Sequence, residues 1–201
     1  GRFGMMAESN VVQLESITSC KADFNKNLLD SDFSLSNPKI LVCKKNEPVL
    51  KNLITWLHDY LGNDSSKHDI PLLVLDDEAD NASLNNEGAK GREYASKING
   101  HIRALLHLFH KKSYSGYTAT PFANIFIDPE KSKFKIQIEG GVLKDEDGNT
   151  VYEVKNNIYK KQFEKIEKEI EDSDLYPRDF IINLKDSVQY VGAKKLFNIP
   201  D

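Results

Sequence analysis

Sulfhydryls are scarce in this chain. Cys20 and Cys43 are its two cysteines, too few for a disulfide scaffold and without the spacing of a zinc site. No apolar run approaches the length of a membrane span. No secretory leader is expected, because the first residues contain no long apolar core. Basic residues do not predominate either: 27 Lys and Arg stand against 31 Asp and Glu, a formal net charge of -4. That balance excludes a generally basic nucleic-acid-binding surface but leaves room for a local basic groove. Internal repeats and low-complexity linkers are lacking. The cytoplasm is the expected compartment, with no membrane partner. The chain opens on Gly1 rather than Met and is expected to be a piece of a longer protein.

What is present is enough for one sizeable folded domain. The chain has 201 residues, and 39% hydrophobic against 29% charged places it among folded rather than disordered sequences. Its organising stretch is Pro71-Leu72-Leu73-Val74-Leu75-Asp76-Asp77-Glu78-Ala79-Asp80, an aliphatic run followed by four acids within five positions. So short an unbroken run reads as a strand buried on both faces of a parallel sheet. The acids then sit just past its C-terminal end, the edge at which open α/β sheets bind ligands. Carboxylates this close repel one another unless a cation shares the site. A divalent metal satisfies that need, as in a Walker B motif, where one Asp holds Mg²⁺ and the next Glu handles the attacking water. The same pattern also describes a solvated turn or the charged first turn of a helix.

The chain taken in order gives a strand at 11–19, then a loop or short helix over 21–37. A compact strand follows at Lys39–Cys43. Asn46 is a good N-cap for a helix whose stripe is Val49, Leu50, Leu53, Ile54, Leu57 and Leu61, ended by Gly62 and Asn63. Trp56, off the centre of that stripe, reads as a boundary packing residue. Strand, helix, strand is the unit of a parallel sheet. After the acids, residues 81–92 form a polar, Gly-containing loop in which Ser83 could meet phosphate. A helix carrying Ile98, Ile102, Leu105, Leu106 and Phe109 follows, with His101, His107 and His110 largely off its buried face and without partners at zinc-ligand spacing. Arg103, Lys111 and Lys112 read as surface charges. A strand over 112–117 runs into Thr118-Ala119-Thr120-Pro121, where Pro121 stops it. If this strand neighbours the central one, Thr118 and Thr120 bond Asp80 and lock the two edges together. Alternation in 134–139 and 151–155, around the turn signal Asp147-Gly148-Asn149, predicts an antiparallel hairpin or small meander over 134–156, appended to the parallel sheet. Residues 157–172 read as a charged helix with Ile158, Phe163, Ile166 and Ile170 as its apolar positions. Phe180–Leu184 reads as a strand, and Tyr190–Pro200 as irregular or as half a hairpin.

Two strand-end motifs separated by one helix are more specific than either alone. Asp77-Glu78-Ala79-Asp80 resembles motif II of superfamily two helicases, and Thr118-Ala119-Thr120-Pro121 resembles their motif III. The surrounding wording extends the likeness: Leu75–Ser83, Gly116–Ile127, Pro177–Ile181 and Tyr190–Phe197. Together these resemble the bacterial and phage Z-one domain proteins, large helicase-like ATPases assigned as endonucleases and associated with DNA restriction or repair. The resemblance runs from about Pro38 to the end. It implies an α/β, partial RecA-like motor fold, a parallel sheet with flanking helices and an appended β-hairpin. On that reading residues 1–133 belong to the motor domain, with motif II at 76–80 and motif III at 118–121. Residues 134–156 are a hairpin insertion, and 157–201 a helix and extended segment leading to a second domain. It further implies Mg²⁺ and ATP as cofactors and DNA as partner, with nuclease or repair proteins as possible companions. Asp77 would hold Mg²⁺, Glu78 would be the catalytic base, and Asp76, Asp80, Thr118 and Thr120 would belong to the nucleotide site, Asp80 passing its state to the threonines.

The departure from the family pattern is the phosphate-binding loop. Gly-x-x-x-x-Gly-Lys-Ser/Thr is needed because backbone amides and the Lys cradle the phosphates, and neither Gly88-Ala89-Lys90-Gly91 nor Gly140-Gly141 fits it. The family places that loop upstream and a second motor domain downstream, so this chain carries half of an ATP site. Two other readings stand beside this one. Glu153-Val154-Lys155 after Asp145 or Asp147 matches a restriction-type nuclease layout, two carboxylates on Mg²⁺ and a Lys steadying the nucleophile. The chain could instead be a non-enzymatic interaction scaffold on a degenerate motor fold, against which the intact Asp77-Glu78 pair argues.

Overall fold

The structure, a computed structural model, describes residues 15–19, 23–24, 37–61, 67–81, 83–84, 96–122, 127, 130–155 and 157–184. The strand residues 11–14, most of the 21–37 segment, the helix end at Gly62-Asn63, most of the loop that follows Ser83, and the tail from 185 onward lie outside the described residues.

Among the described residues, two parallel strand pairs and two antiparallel ones are built around two helices. β1 (Glu15–Ser16) pairs in parallel with β2 (Lys39–Ile40). Helix α1 (Glu47–Leu61) starts where the sequence places it: Asn46 Oδ1 accepts the Val49 amide at 3.0 Å, a side-chain N-cap. It buries Leu50, Leu53, Ile54 and Leu57, a stripe at helical spacing in which each side chain contributes about 1.5–3 kcal/mol on leaving water. Trp56 is half-buried at the border of that stripe, its ring 5.6 Å from Phe24 and 6.1 Å from Tyr60.

β3 (Leu72–Asp77) and β4 (Lys112–Tyr117) run parallel and in register, Asp77 opposite Tyr117. Helix α2 (Lys97–His107) connects them. One expectation for β3 fails: it is covered on one face. Leu72, Val74 and Asp76 turn inward, the two apolar ones against the cluster of Leu50, Ile102, Leu106 and Leu175, whereas Leu73 and Leu75 are 63% and 61% exposed. Among the described residues no layer lies on that outer face, so a run of uniform hydrophobicity is half in water.

The second half of the chain departs further. Residues 157–172 are not a helix. β7 (Ile158–Lys161) pairs antiparallel with β6 (Tyr152–Lys155), and β8 (Phe163–Ser173) pairs antiparallel with β5 (Lys131–Val142). Ile166 and Ile170 are four apart, a spacing that a helix and a strand both place on one face. Partners decide between the two. Phe134 stands opposite Ile170 and Ile138 opposite Ile166, and Phe134, Ile136 and Ile138 are buried against both helices. The hairpin forecast over 134–156 is therefore re-paired, with each of its predicted strands taking a partner from the presumed helix. The turn signal holds: Asp145 Oδ1 caps the amides of Asp147 and Asn149, and Gly148 adopts φ 83°. Residues 180–184 form no strand, and Phe180, Ile181, Ile182 and Leu184 are exposed.

Because β5 and β8 cover its second side, α2 is buried almost all round. His101 is buried, with Nδ1 against the Lys97 carbonyl, rather than off the packed face. Arg103 is no surface charge: it is 1% exposed, donates to the carbonyls of Ser173 (3.1 Å) and Asp172 (2.6 Å), and stacks 3.9 Å from the Phe134 ring centroid. Lys112 pairs with Asp172 at 2.7 Å and Lys111 with Asp69 at 3.1 Å. No described helix is long and apolar enough to cross a membrane.

Candidate functional site

Parallel pairing of β3 with β4 brings their C-terminal ends side by side, and with them the two motifs. The approach is close because position 116 is glycine: a Cβ there would stand 2.7 Å from the Ala79 Cβ. Ala79 continues the ladder past β3, its amide donating to Tyr117 O at 2.9 Å.

At this edge Asp80 accepts hydrogen bonds from both threonine hydroxyls. Thr118 Oγ1 lies 2.5 Å from Asp80 Oδ1, and Thr120 Oγ1 lies 2.5 Å from Oδ2. Thr118 Oγ1 also accepts the Thr120 amide at 2.9 Å, which fixes the turn. The two hydroxyl bonds hold the Asp80 carboxyl below its ordinary range, so it is ionised at neutral pH.

Asp76 faces the other way. It is 5% exposed, and both its oxygens are engaged inside the protein: Oδ1 by Lys45 Nζ at 2.9 Å, Oδ2 by Ser83 Oγ and by Tyr114 Oη, each at 2.6 Å. Grouped with the nucleotide-binding acids from its position, it is instead a buried anchor beneath the edge. Burial, then the bond to Asp76, pushes the Tyr114 phenol above its usual range, leaving it a permanent donor. Ser83, a candidate phosphate contact in sequence, spends its hydroxyl on Asp76. Its carbonyl accepts Asn99 Nδ2 at 2.9 Å, and the same amide group reaches Asp174 Oδ1 at 2.7 Å, tying the site to the segment after β8.

Asp77 and Glu78 are the exposed pair. Glu78 adopts φ 52°, a left-handed conformation costing a non-glycine residue about 1–2 kcal/mol. Such outliers concentrate where function requires a side chain aimed against local preference. The conformation is held by its carbonyl, which accepts Lys45 Nζ at 2.7 Å and the Asn81 amide at 2.8 Å. Lys45 also bonds the Asp77 carbonyl at 2.8 Å. One ammonium thus touches three consecutive residues of the motif. Lys45 carries no signal in the sequence beyond its place just before the Asn46 cap of α1; what demanded it is a buried carboxylate, which requires a counter-charge from somewhere.

Comparison of the chain with protein-family models, curated proteins and solved structures finds no match. The arrangement itself therefore carries the chemistry. Asp77 offers one exposed carboxylate, and no group of three or more His, Cys, Asp or Glu among the described residues is placed to hold an ion unaided. That donor set fits Mg²⁺, which keeps most of its waters and takes one or two carboxylates plus phosphate oxygens. The nuclease candidates fare differently. Asp145 caps its own turn, Asp147 lies within that turn, and Glu153 sits on the separate β6; the side chain of Lys155 lies outside the described residues. His107 contacts Asp172 at 3.2 Å and His110 is exposed, so the three histidines of this region do not converge.

Proposed function

We propose that this chain carries the ATP-hydrolysis edge of a helicase-like, nucleic-acid-dependent ATPase of the DNA restriction or repair type, without its phosphate-binding loop. The single observation behind this reading is the Asp80 carboxylate bonded to both Thr118 and Thr120, with Asp77 and Glu78 exposed on the same edge. A purely structural acid cluster has no need to leave two carboxylates in water at a strained turn.

Asp77 would hold Mg²⁺, which neutralises phosphate charge and orients the nucleotide when bound. Glu78 accepts the proton of the attacking water. Asp80 links that chemistry to the Thr118-Ala119-Thr120 turn, so a change at one strand end is felt at the other. Lys45 fixes the backbone of Asp77 and Glu78 from below. The P-loop comes from outside these 201 residues, as the resemblance to the Z-one domain proteins implies.

DNA-stimulated ATP hydrolysis by a longer polypeptide containing this chain and an upstream Gly-Lys-Ser/Thr loop tests the reading. Glu78→Gln is expected to lower turnover at least about a hundredfold, the usual scale of general-base loss. Turnover unaffected by Glu78→Gln overturns the proposal. The 201-residue chain alone is expected neither to bind ATP tightly nor to hydrolyse it, and Mg²⁺-dependent turnover by it that Glu78→Gln abolishes would show the site to be complete without that loop.

A further inference from the structure

The β6–β7 hairpin has a composition that its place in the fold does not explain. Its pairs are Tyr152 with Lys161, Glu153 with Lys160, and Val154 with Tyr159. Directly opposed residues share a face, so Tyr152, Val154, Tyr159 and Lys161 stand together. All are exposed, with Tyr159 at 71%, Val154 at 56% and Tyr152 at 48%. Glu153 and Lys160 on the opposite face are exposed too. A two-stranded hairpin is marginally stable in water by itself, and aromatic rings left exposed on it are a costly choice.

The rings are nonetheless arranged. Tyr152 and Tyr159 lie 6.4 Å apart at 80°, edge to face, and the turn between their strands is tight, with Asn157 at φ 61°. The charges differ from those of the neighbouring β5–β8 pair. There Lys135 pairs with Glu167 at 3.1 Å and Lys133 with Glu169 at 3.7 Å. Lys160 and Lys161 close no salt bridge among the described residues, although Glu153 stands opposite Lys160. Exposed rings beside an ammonium group, here Lys161 on their own face, are elements that bind single strands: bases stack on rings and phosphates pair with lysine. A double helix keeps its bases stacked on one another and offers the rings nothing equivalent.

We propose that the Tyr152–Tyr159 face of the β6–β7 hairpin binds single-stranded nucleic acid, with the two tyrosines as stacking platforms and Lys161 on the backbone. This deepens the nucleic-acid-dependent ATPase reading by naming its grip, and rests on that reading for its purpose but not for its test.

The test is fluorescence anisotropy of the 201-residue chain with a labelled oligothymidine of about 12 nucleotides, against a duplex of equal length. Tyr152→Ala and Tyr159→Ala are each expected to weaken single-strand binding by roughly tenfold, while Tyr159→Phe retains it. Lys161→Gln is expected to reduce the salt slope by about 0.7, one phosphate contact. Circular dichroism and the thermal midpoint should stay unchanged, since these side chains leave the core untouched. Absence of oligonucleotide binding, or binding indifferent to both alanine variants, overturns the proposal, as does duplex binding equal to single-strand binding. Those results leave the ATPase reading standing, while ATP turnover indifferent to Glu78→Gln leaves the oligonucleotide result standing.

Discussion

Thr120 Oγ1 and Asp80 Oδ2 lie 2.5 Å apart, forty residues distant in sequence, across the ends of two neighbouring parallel strands. The contact makes Asp80 a reporter of the junction. Its carboxyl is held low by the Thr118 and Thr120 hydroxyls, so its contribution to stability is present above the unfolded value of about 3.9 and lost as pH falls through the folded one. In Thr118→Val/Thr120→Val the Asp80 carboxyl should rise to the ordinary range, read by carbon-detected NMR titration. An unmoved titration would mean that the hydroxyls do not govern it.

Lys45 is the counter-charge of a carboxylate that is almost wholly out of water. Lys45→Met should cost about 3–5 kcal/mol in urea unfolding, because it strands Asp76. Adding Asp76→Asn should recover much of that loss, since the amide carries no charge. A single-variant loss below about 1 kcal/mol would put the pair in the class of surface ion pairs.

Gly116 sits where β4 meets Ala79. Gly116→Ala drives a methyl to 2.7 Å from the Ala79 Cβ, and neither atom is the free end of a flexible side chain. A loss of about 1–3 kcal/mol is expected, with partial recovery in Gly116→Ala/Ala79→Gly. Equal stabilities of the glycine and alanine forms would show that the two strand ends separate freely.

Acid sensitivity should also come from two buried histidines. Burial lowers His68, against a smaller opposing contribution from the Leu57 carbonyl, and burial likewise lowers His101, with the Lys97 carbonyl and Glu47 opposing and Lys51 and Lys97 reinforcing. Both folded values lie below the unfolded value of about 6.5, so the unfolded chain binds more protons and stability falls as pH drops below that point. Urea midpoints should decline from about pH 7 to about pH 5.5, less steeply in His101→Gln. Identical slopes in the two proteins would remove His101 from the account.

The parts of this architecture legible in sequence are those governed by near neighbours. Asn46 and the Leu50–Leu57 stripe fixed α1, and the β3–α2–β4 order brought Asp80 to Thr118 and Thr120, because strands that follow one another in the chain usually lie side by side. What escaped depends on distant partners. Ile166 and Ile170 satisfy two periodicities at once, and Lys and Glu around them favour a helix; Phe134 and Ile138 across the sheet settle the matter. Arg103 looks like a surface charge until β8 supplies carbonyls to bury it against. Lys45 could not be paired with Asp76 without knowing that the segment between β2 and α1 passes the end of β3.

Leu73 and Leu75 point away from everything described around β3. A water-facing leucine pair on a ribbon whose described part is two strands wide exerts, outward, the same pull that assembles the core inward. Handled at rising concentration, the polypeptide will therefore scatter light and capture hydrophobic dyes through this side first, and polar replacements at those two positions will quieten it while leaving the acids at the strand end in place.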